Sequence, residues 1–381
     1  MHDNPFTDEE LAARVAAFRR IVAAKALDLA LVSSAENIFY LTGLDHWGYF
    51  APHVLIVPAE GEMVLVTRAM EKVSVEKQVR NAAFRGHPDT ETGADLAGRI
   101  LREMKPKRIG IESWSAGLSH GFALRLGEAV DGAEWIDITG AIDDMRLVKS
   151  PAEQALLRRA AAVTDAAAQA AIEAIGAGVP EREVAAACQS AMALAGGDPP
   201  GFGPFIRPGS RLGEEHATWG NEAYRAGEPV FLELSGCVSR YHAPLGRLVH
   251  VGGISDADAR MAETVKTAFD AVLTALKPGA KAAQVYQAWQ DVADAAGLSH
   301  YRRHHCGYAV GVGVPPTWTG GNKVTGLRAG SDMEIRVGMS FHVLSWLMGT
   351  GKGDYFVSSP VLLTAQGAEV LTQTPFGPIV K

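Results

Sequence analysis

The second half of the chain contains an internal repeat, which limits the folds that the sequence can adopt. The segment 178–196 matches the segment 279–297 at a constant displacement of 101 residues. Further along, 226–233 matches 337–344 at a displacement of 111 residues. Repeated segments of this kind indicate copies of one structural unit. We therefore expect this half of the chain to be built from two related units.

A helix start marks the boundary between two predicted domains. Ser150 and Glu153 form a capping-box pattern, and Pro151 occupies the first helical position. A length of 381 residues also indicates about two domains. Upstream, the helical pattern of 9–24 is followed by short apolar runs typical of strands. We predict a small α/β domain at residues 1–148 and a second domain at residues 149–381.

Composition excludes several classes of protein. A formal net charge of −7 offers no electrostatic reason to bind nucleic acid. No run approaches the eighteen apolar residues of a membrane span. The three cysteines are far apart and odd in number, which argues against a disulfide framework and favours a reducing compartment. The N-terminus lacks the basic start and apolar core of a signal peptide. We therefore expect a cytoplasmic protein.

The stretch from Val230 to Arg247 resembles a strand pair of the pita-bread family, which includes aminopeptidase P, prolidase, methionine aminopeptidase, creatinase and ectoine hydrolase. The resemblance covers nearly the whole chain. It implies an α/β (α+β) fold, with a creatinase-like N-terminal domain followed by a pita-bread domain. In that domain, two copies of a helix pair and a strand pair would face each other across a pseudo-twofold axis.

The resemblance also implies that the metal ligands of the family have been replaced. Metal-dependent members carry two aspartates eleven residues apart on this hairpin, followed by one histidine and two glutamates. The corresponding positions here are Glu233, Pro244, Tyr308, Leu344 and, for the last glutamate, a position near Ser358. Hard divalent cations need several oxygen or imidazole ligands. We therefore predict neither a metal nor another cofactor.

Glu233 and His216 are the predicted catalytic residues. Glu233 interrupts an apolar strand, where a carboxylate is costly unless it meets a cation or hydrogen bonds. Without metal ions, a cationic substrate can supply that partner. His216 matches a histidine that creatinase and its relatives place beside the active centre, and histidine exchanges protons near neutral pH. The alternatives are a glutamate on the polar face of a half-buried strand and a surface histidine. Whether Glu233 is nucleophile, general base or cation anchor stays open.

The same resemblance indicates further substrate-binding residues and a homodimer. The segment 37–50 resembles the part that family dimers extend toward the partner's active site, although ordinary packing of Trp47 within the small domain is the alternative. For Arg247, an ion pair that supports the fold is the alternative. The adjacent histidines His304 and His305 lack a matching third ligand for a transition metal. The predicted substrate-binding residues are Trp47, Tyr241, His242, Arg247, His305, Tyr308 and His342.

Two stretches, 233–245 and 305–316, are similar to ectoine hydrolase and favour the metal-free branch of the family. We therefore predict a metal-independent hydrolase of a non-peptide C–N bond in a small amidine-like zwitterion, with ectoine or hydroxyectoine as the named substrate. The run from Pro244 to Arg247 departs from creatinase. The alternatives are a creatinase-like amidinohydrolase, a metal-dependent Xaa-Pro dipeptidase, a lyase acting on a small onium zwitterion, and a binding protein without catalytic activity.

Overall fold

The computed structural model describes residues 3–322 and 324–381, which form two compact units. The first unit comprises residues 3–146 together with Gly321 and Asn322. The second comprises residues 147–320 and 324–381. Both units combine a mixed or antiparallel sheet with helices, so the predicted α/β (α+β) class is confirmed.

The described residues of the first unit form a six-stranded sheet with helices packed against it. Its helices are α1 (Asp8–Ala24), α2 (Ala35–Thr42), α3 (Lys72–Gln78), α4 (Gly93–Met104), α5 (His120–Ala129) and α6 (Ala141–Met145). Its strands are β1 (Leu29–Val32), β2 (Val54–Pro58), β3 (Met63–Arg68), β4 (Ala82–His87), β5 (Arg108–Ile111) and β6 (Glu134–Asp137). The strand order is β4-β3-β2-β1-β5-β6, with β2 antiparallel to both of its neighbours.

The described residues of the second unit form an eight-stranded sheet and four longer helices. The helices are α7 (Pro151–Ala174), α8 (Glu181–Leu194), α9 (Asp256–Ala275) and α10 (Ala282–Ala295). The strands are β7 (Phe205–Pro208), β8 (Pro229–Val238), β9 (Tyr241–His250), β10 (Gly307–Ala309), β11 (Ser340–Leu347), β12 (Tyr355–Thr364), β13 (Gly367–Val370) and β14 (Ile379–Val380). The main path is β10-β11-β12-β9-β8-β7, while β13 pairs with β12 and β14 with β9.

The internal repeat corresponds to repeated elements of the second unit. Helix α10 begins and ends 101 residues after α8, in agreement with the sequence match. Strand β11 begins 111 residues after β8. Helix α7 starts at the predicted capping box, where the Ser150 hydroxyl accepts a hydrogen bond from the Glu153 backbone N–H at 3.2 Å.

Helices cover one face of the second sheet. Gly236 in β8 lies against α7, where an added Cβ would come within 2.5 Å of the Ala160 carbonyl oxygen. On the same side, Trp289 of α10 donates a hydrogen bond at 3.1 Å to the hydroxyl of Ser345 in β11. Because side chains alternate along a strand, Glu233 and Leu344 lie on the opposite face. The face of the sheet that carries Glu233 and Leu344 is therefore the one that these helices do not cover.

Across residues 3–322 and 324–381, no helix combines the length and the apolar character needed to cross a bilayer.

Candidate functional site

A row of four residues crosses the centre of the second sheet. Glu233 in β8 is aligned with Gly246 in β9, Gly246 with Ser358 in β12, and Ser358 with Leu344 in β11. Aligned residues of antiparallel strands lie about 4.5–5.5 Å apart at their Cα atoms and point to the same face. The sheet therefore brings together Glu233, Ser358 and Leu344, which stand far apart in the sequence.

The side chains of this row do not form a set of ligands for two cations. Glu233 is its single carboxylate, and Leu344 offers no donor atom. Pro244 lies on the same face, two residues from Gly246, and also offers none. Within residues 3–322 and 324–381, no group of three or more histidine, cysteine, aspartate or glutamate side chains is arranged to hold a metal ion. The residues present therefore do not fit the metal centre that the family pattern implies.

Glu233 is the ionisable group at the centre of the row. Its neighbours Leu232 and Leu234 are fully buried, whereas the glutamate is half-buried. Among the described residues, no hydrogen bond or ion pair engages its carboxylate. Burial raises the pKa of Glu233 to about 7, while the charge of Arg207 lowers it and that of Glu215 raises it. Glu233 therefore exchanges a proton near neutral pH, as a general base requires.

A chain of hydrogen bonds fixes the side chains next to Glu233. The indole Nε1 of Trp318 donates to the Tyr308 hydroxyl at 2.9 Å, and that hydroxyl lies 2.8 Å from Nδ1 of His342. Nε2 of His342 lies 2.7 Å from the hydroxyl of Ser358. Burial, and then the charge of Glu233, raises the pKa of Tyr308, so the phenol keeps its proton. The Tyr308 hydroxyl thus has a proton to donate to Nδ1 of His342, and in that tautomer Nε2–H of His342 donates to Ser358.

His342 and His305 are neutral groups of the site. Burial, and then His305 and Arg247, hold the pKa of His342 well below its usual value. Burial, with a further effect of His304, lowers the pKa of His305 to about 3. The His305 ring packs edge-on against Tyr308 at 5.4 Å between ring centroids, and its buried Nδ1 has no hydrogen-bond partner in the described residues. Neither histidine supplies a proton from a cationic form, and both ring nitrogens of His342 are already engaged by Tyr308 and Ser358.

His216 lies beside the row at the β7 edge of the sheet. Its ring is 5.9 Å from the ring of Phe205, the residue of β7 that is aligned with Glu233. It also stacks on Phe202 at 6.2 Å between ring centroids. The His216 side chain is exposed to solvent. The structure therefore places His216 one strand away from Glu233, in a position that can be reached from solvent.

Two predicted substrate-binding residues point away from this site. Arg247 and Tyr241 alternate with Gly246 along β9 and therefore lie on the helix-covered face, opposite Glu233. The Tyr241 hydroxyl donates to Glu153 of α7 at 2.7 Å. Arg247 donates five hydrogen bonds, to the carbonyl oxygens of Gly246, Ser358, Thr374 and Pro375 and to the hydroxyl of Ser359. Both residues therefore make structural contacts on the face of the sheet opposite Glu233.

His242 is on the same face as Glu233 but at the other end of the hairpin. It precedes Gly246 by four residues, which is about 13 Å along a strand. Its Nε2 accepts a hydrogen bond from the backbone N–H of Gly201 at 2.8 Å, and its Nδ1 donates to the carbonyl of Arg240 at 3.0 Å. Burial lowers the pKa of His242 to about 3. Both ring nitrogens are occupied, which argues against the predicted substrate contact.

Trp47 belongs to the first unit. It directly precedes the 3-10 turn Gly48–Phe50, and 58% of its surface is exposed. A large exposed aromatic side chain is available to a partner surface.

Sequence reasoning missed the cations and the aromatic rings around Glu233. Arg207 in β7 is fully buried, and its guanidinium lies 4.1 Å above the Phe231 ring. Arg303 stacks at 4.6 Å on Trp346. The rings of Phe231, Trp346 and Phe356 form one cluster, with centroid distances of 4.7–5.8 Å. In the sequence, the position of Arg207 within an otherwise apolar strand was the feature that could have indicated a buried cation.

Comparisons with known proteins agree with this architecture. Residues 155–365 match the model of metallopeptidase family M24, and residues 14–148 match that of the creatinase/prolidase N-terminal domain. The chain is 26% identical to the ectoine hydrolase of Halomonas elongata, over 97% of each chain. It is 25% identical to the Xaa-Pro dipeptidase of Pyrococcus horikoshii, over 91% of this chain and 93% of the relative.

A solved structure supports the fold over the whole length. The Xaa-Pro dipeptidase from Bacillus anthracis superimposes with a TM-score of 0.85, covering 97% of this chain and 100% of the other. The sequence identity is 21%, so this likeness concerns the fold. It confirms the predicted arrangement of a creatinase-like N-terminal domain followed by a pita-bread domain.

Proposed function

Because this chain belongs to metallopeptidase family M24, yet carries one carboxylate in place of the ligand set, we propose that it is a hydrolase that works without a metal ion. The proposed reaction is hydrolysis of a non-peptide C–N bond in a small amidine-like zwitterion, with ectoine or hydroxyectoine as the named substrate. The observation that carries the proposal is the half-buried Glu233, whose carboxylate makes no hydrogen bond or ion pair among the described residues. The similarity to an ectoine hydrolase supports the choice of substrate class.

Each proposed step uses a group of the site. An amidinium has a positive charge and an electrophilic carbon, so the ionised Glu233 attracts it and accepts a proton from the attacking water. The new C–O bond forms as the C=N π bond of the amidinium opens, which gives a tetrahedral intermediate, and the ring C–N bond then breaks as the amide carbonyl forms. His216 donates a proton to the departing nitrogen. The hydrogen bond between Tyr308 and His342 fixes the positions of the side chains that line the site. Direct attack by the Glu233 carboxylate, followed by hydrolysis, is the covalent variant of the same reaction.

The pH profile should report the ionisation of Glu233. Its usual pKa of 4.5 is raised to about 7 by burial, and the base is active only when it is ionised. We therefore expect kcat/KM to fall tenfold per pH unit below about 7. Measurement of kcat/KM across the pH range checks this. A profile that is flat between about pH 5 and about pH 8 would contradict the role of Glu233 as base.

Activity should not depend on a divalent metal. Purified protein should contain no stoichiometric metal by elemental analysis and should keep its turnover after treatment with a chelator, because the site offers one carboxylate and neutral hydroxyl groups. Loss of turnover in chelator that is reversed by manganese or cobalt would show that a metal centre forms after all.

A substrate panel tests the reaction class. Ectoine, hydroxyectoine, creatine, an Xaa-Pro dipeptide and an onium zwitterion would be incubated with the protein and analysed by mass spectrometry. Addition of one water to ectoine or hydroxyectoine is the expected result. Cleavage of the dipeptide would favour the dipeptidase alternative, which the Pyrococcus relative represents. Fragmentation without water would indicate a lyase, and no conversion of any compound would favour a binding protein.

We also propose a cytoplasmic homodimer in which Trp47 of one subunit closes the site of the other. The exposed ring motivates this assembly. Sedimentation should show a dimer at micromolar concentration, and Trp47→Ala should lower turnover while Trp114→Ala, at another exposed tryptophan, should not. A fully active monomer would contradict the proposal, as would a Trp47→Ala variant that is dimeric and unimpaired.

A further inference from the structure

Two arginines next to Glu233 have no role in the reaction described so far. Arg207 is 0% exposed, yet its Nε has no hydrogen-bond partner among the described residues. One hydrogen bond is recorded for its guanidinium, from Nη1 to the Ala217 carbonyl oxygen at 3.3 Å. Arg303 is half-buried, and its Nε is also buried without a partner. Buried donors without a protein acceptor are rare and costly in folded proteins, so these groups are suited to hydrogen bonding with a ligand.

The register of the sheet directs Arg207 toward the site. Phe205 is aligned with Glu233, and Arg207 is aligned with Phe231 two residues away, so all four side chains share one face. The guanidinium of Arg207 lies 4.1 Å from the Phe231 ring centroid. Its charge also acts on the Glu233 carboxylate.

The second arginine belongs to the same cluster. Arg303 lies 4.6 Å from the centroid of Trp346, and the Trp346 ring meets Phe231 edge-on at 5.8 Å. Both guanidinium groups therefore lie against neighbouring aromatic rings. This contact fixes the orientation of each guanidinium, while N–H groups at its edge can still donate hydrogen bonds. Gly246 makes room for this cluster, since a Cβ at that position would collide with the ring of Phe356.

The charges of the site do not balance. Two guanidinium groups, both permanently cationic, surround one carboxylate. Among the described residues, no carboxylate forms an ion pair with Arg207 or Arg303. Glu214 and Glu215 also act on Arg207 but are exposed, and Glu214 is held by Arg211 at 2.9 Å. A buried site with an excess of positive charge favours an anionic ligand.

We infer that Arg207 and Arg303 form an anion-binding subsite that holds a planar carboxylate of the substrate against the rings of Phe231 and Trp346. The carboxylate accepts charge-assisted hydrogen bonds from guanidinium N–H groups that lack a protein acceptor among the described residues, including Nε of each arginine. This orients the rest of the molecule toward Glu233. The inference rests on the proposed function in one respect, because it takes the Glu233 face of the sheet as the substrate site.

Calorimetric titration with benzoate and benzamide tests the subsite without requiring turnover. Benzoate carries a planar carboxylate on an aromatic ring, and benzamide has the same shape without the charge. Wild-type protein should bind benzoate at least ~10-fold more tightly than benzamide, the lower range for loss of a hydrogen bond to a charged group. Arg303→Gln and Arg207→Gln should each weaken benzoate binding by a similar factor.

Two further variants make the result specific. Arg302→Gln removes the same charge from the neighbouring residue, whose exposed side chain pairs with Asp294, and should bind benzoate as the wild type does. Glu233→Gln should still bind benzoate, so a failure of the proposed hydrolysis is distinguishable from a failure of the subsite. Arg303 also makes a side-chain hydrogen bond with Tyr301, so the thermal unfolding of Arg303→Gln is compared with that of the wild type before the titration. Equal binding of benzoate and benzamide by the wild type, or unchanged benzoate affinity in Arg303→Gln, would overturn the inference.

Discussion

Glu233→Gln should lower turnover of the hydrolysed zwitterion by at least ~10²-fold, the lower range for a positioned acid or base group. Glutamine has nearly the same shape but neither the negative charge nor the basicity of the carboxylate. The variant should fold like the wild type, because the wild-type carboxylate has no hydrogen bond or ion pair to lose among the described residues. Removing a carboxylate whose pKa is raised by burial also removes a group that is costly to ionise in the folded protein.

Single-turnover assays and calorimetric binding separate the two contributions of Glu233. If Glu233 acts as a base, its replacement lowers the rate of the chemical step. If it acts as a cation anchor, its replacement weakens substrate binding. Glu263→Gln makes the same substitution on the exposed surface of α9 and should leave both quantities unchanged. If Glu233→Gln hydrolyses the identified substrate near the wild-type rate, the protein is not a hydrolase centred on this carboxylate.

His216→Ala is expected to reduce turnover comparably, by at least ~10²-fold, while leaving substrate binding largely intact. The proposed contribution of His216 is proton transfer to the leaving nitrogen, which takes effect in the transition state. Its ring is exposed and contacts Phe202 and Phe205 at the edge of the sheet, so its removal leaves the central row unchanged. In the part of the chain that the structure describes, the recorded contacts of the His216 ring are those with Phe202 and Phe205.

A second substitution distinguishes proton transfer from packing at this position. His216→Gln keeps a polar side chain of similar length but cannot exchange a proton at neutral pH, so it should be as slow as His216→Ala. His300→Ala removes another exposed histidine and serves as the control. Recovery of most of the turnover in His216→Gln would show that the histidine supports the loop and does not transfer a proton.

The strands, the helix start and the repeat were predictable because each depends on neighbouring residues. The capping box at Ser150 defines the start of α7 through bonds within one turn. The matching segments that became α8 and α10 share the same apolar spacing and the same flanking glycines. A missing ligand is equally local, since the side chains of Pro244 and Leu344 have no atom that can bind a cation in any fold.

The register of the strands determines which face of the sheet each predicted site residue occupies. Tyr308 and His342 lie on the face of Glu233, whereas Arg247 and Tyr241 lie on the other face. In a hairpin, shifting the strand pairing by one residue moves every side chain to the other face of the sheet. The register of the pairing depends on the geometry of the turn. The motif that contains Arg247 was visible in the sequence, but the direction of its side chain followed from the pairing of β8 with β9.

The sequence by itself determined the two-domain α/β architecture, the repeated elements and the presence of a single carboxylate in an otherwise apolar strand. Only the tertiary structure decided the environment of that carboxylate. Its raised pKa arises from burial, and Arg207, Arg303 and the aromatic rings reach it from separate segments of the chain. Desolvation and Coulomb interactions depend on distances through space, and these distances are set when the strands of the sheet pair.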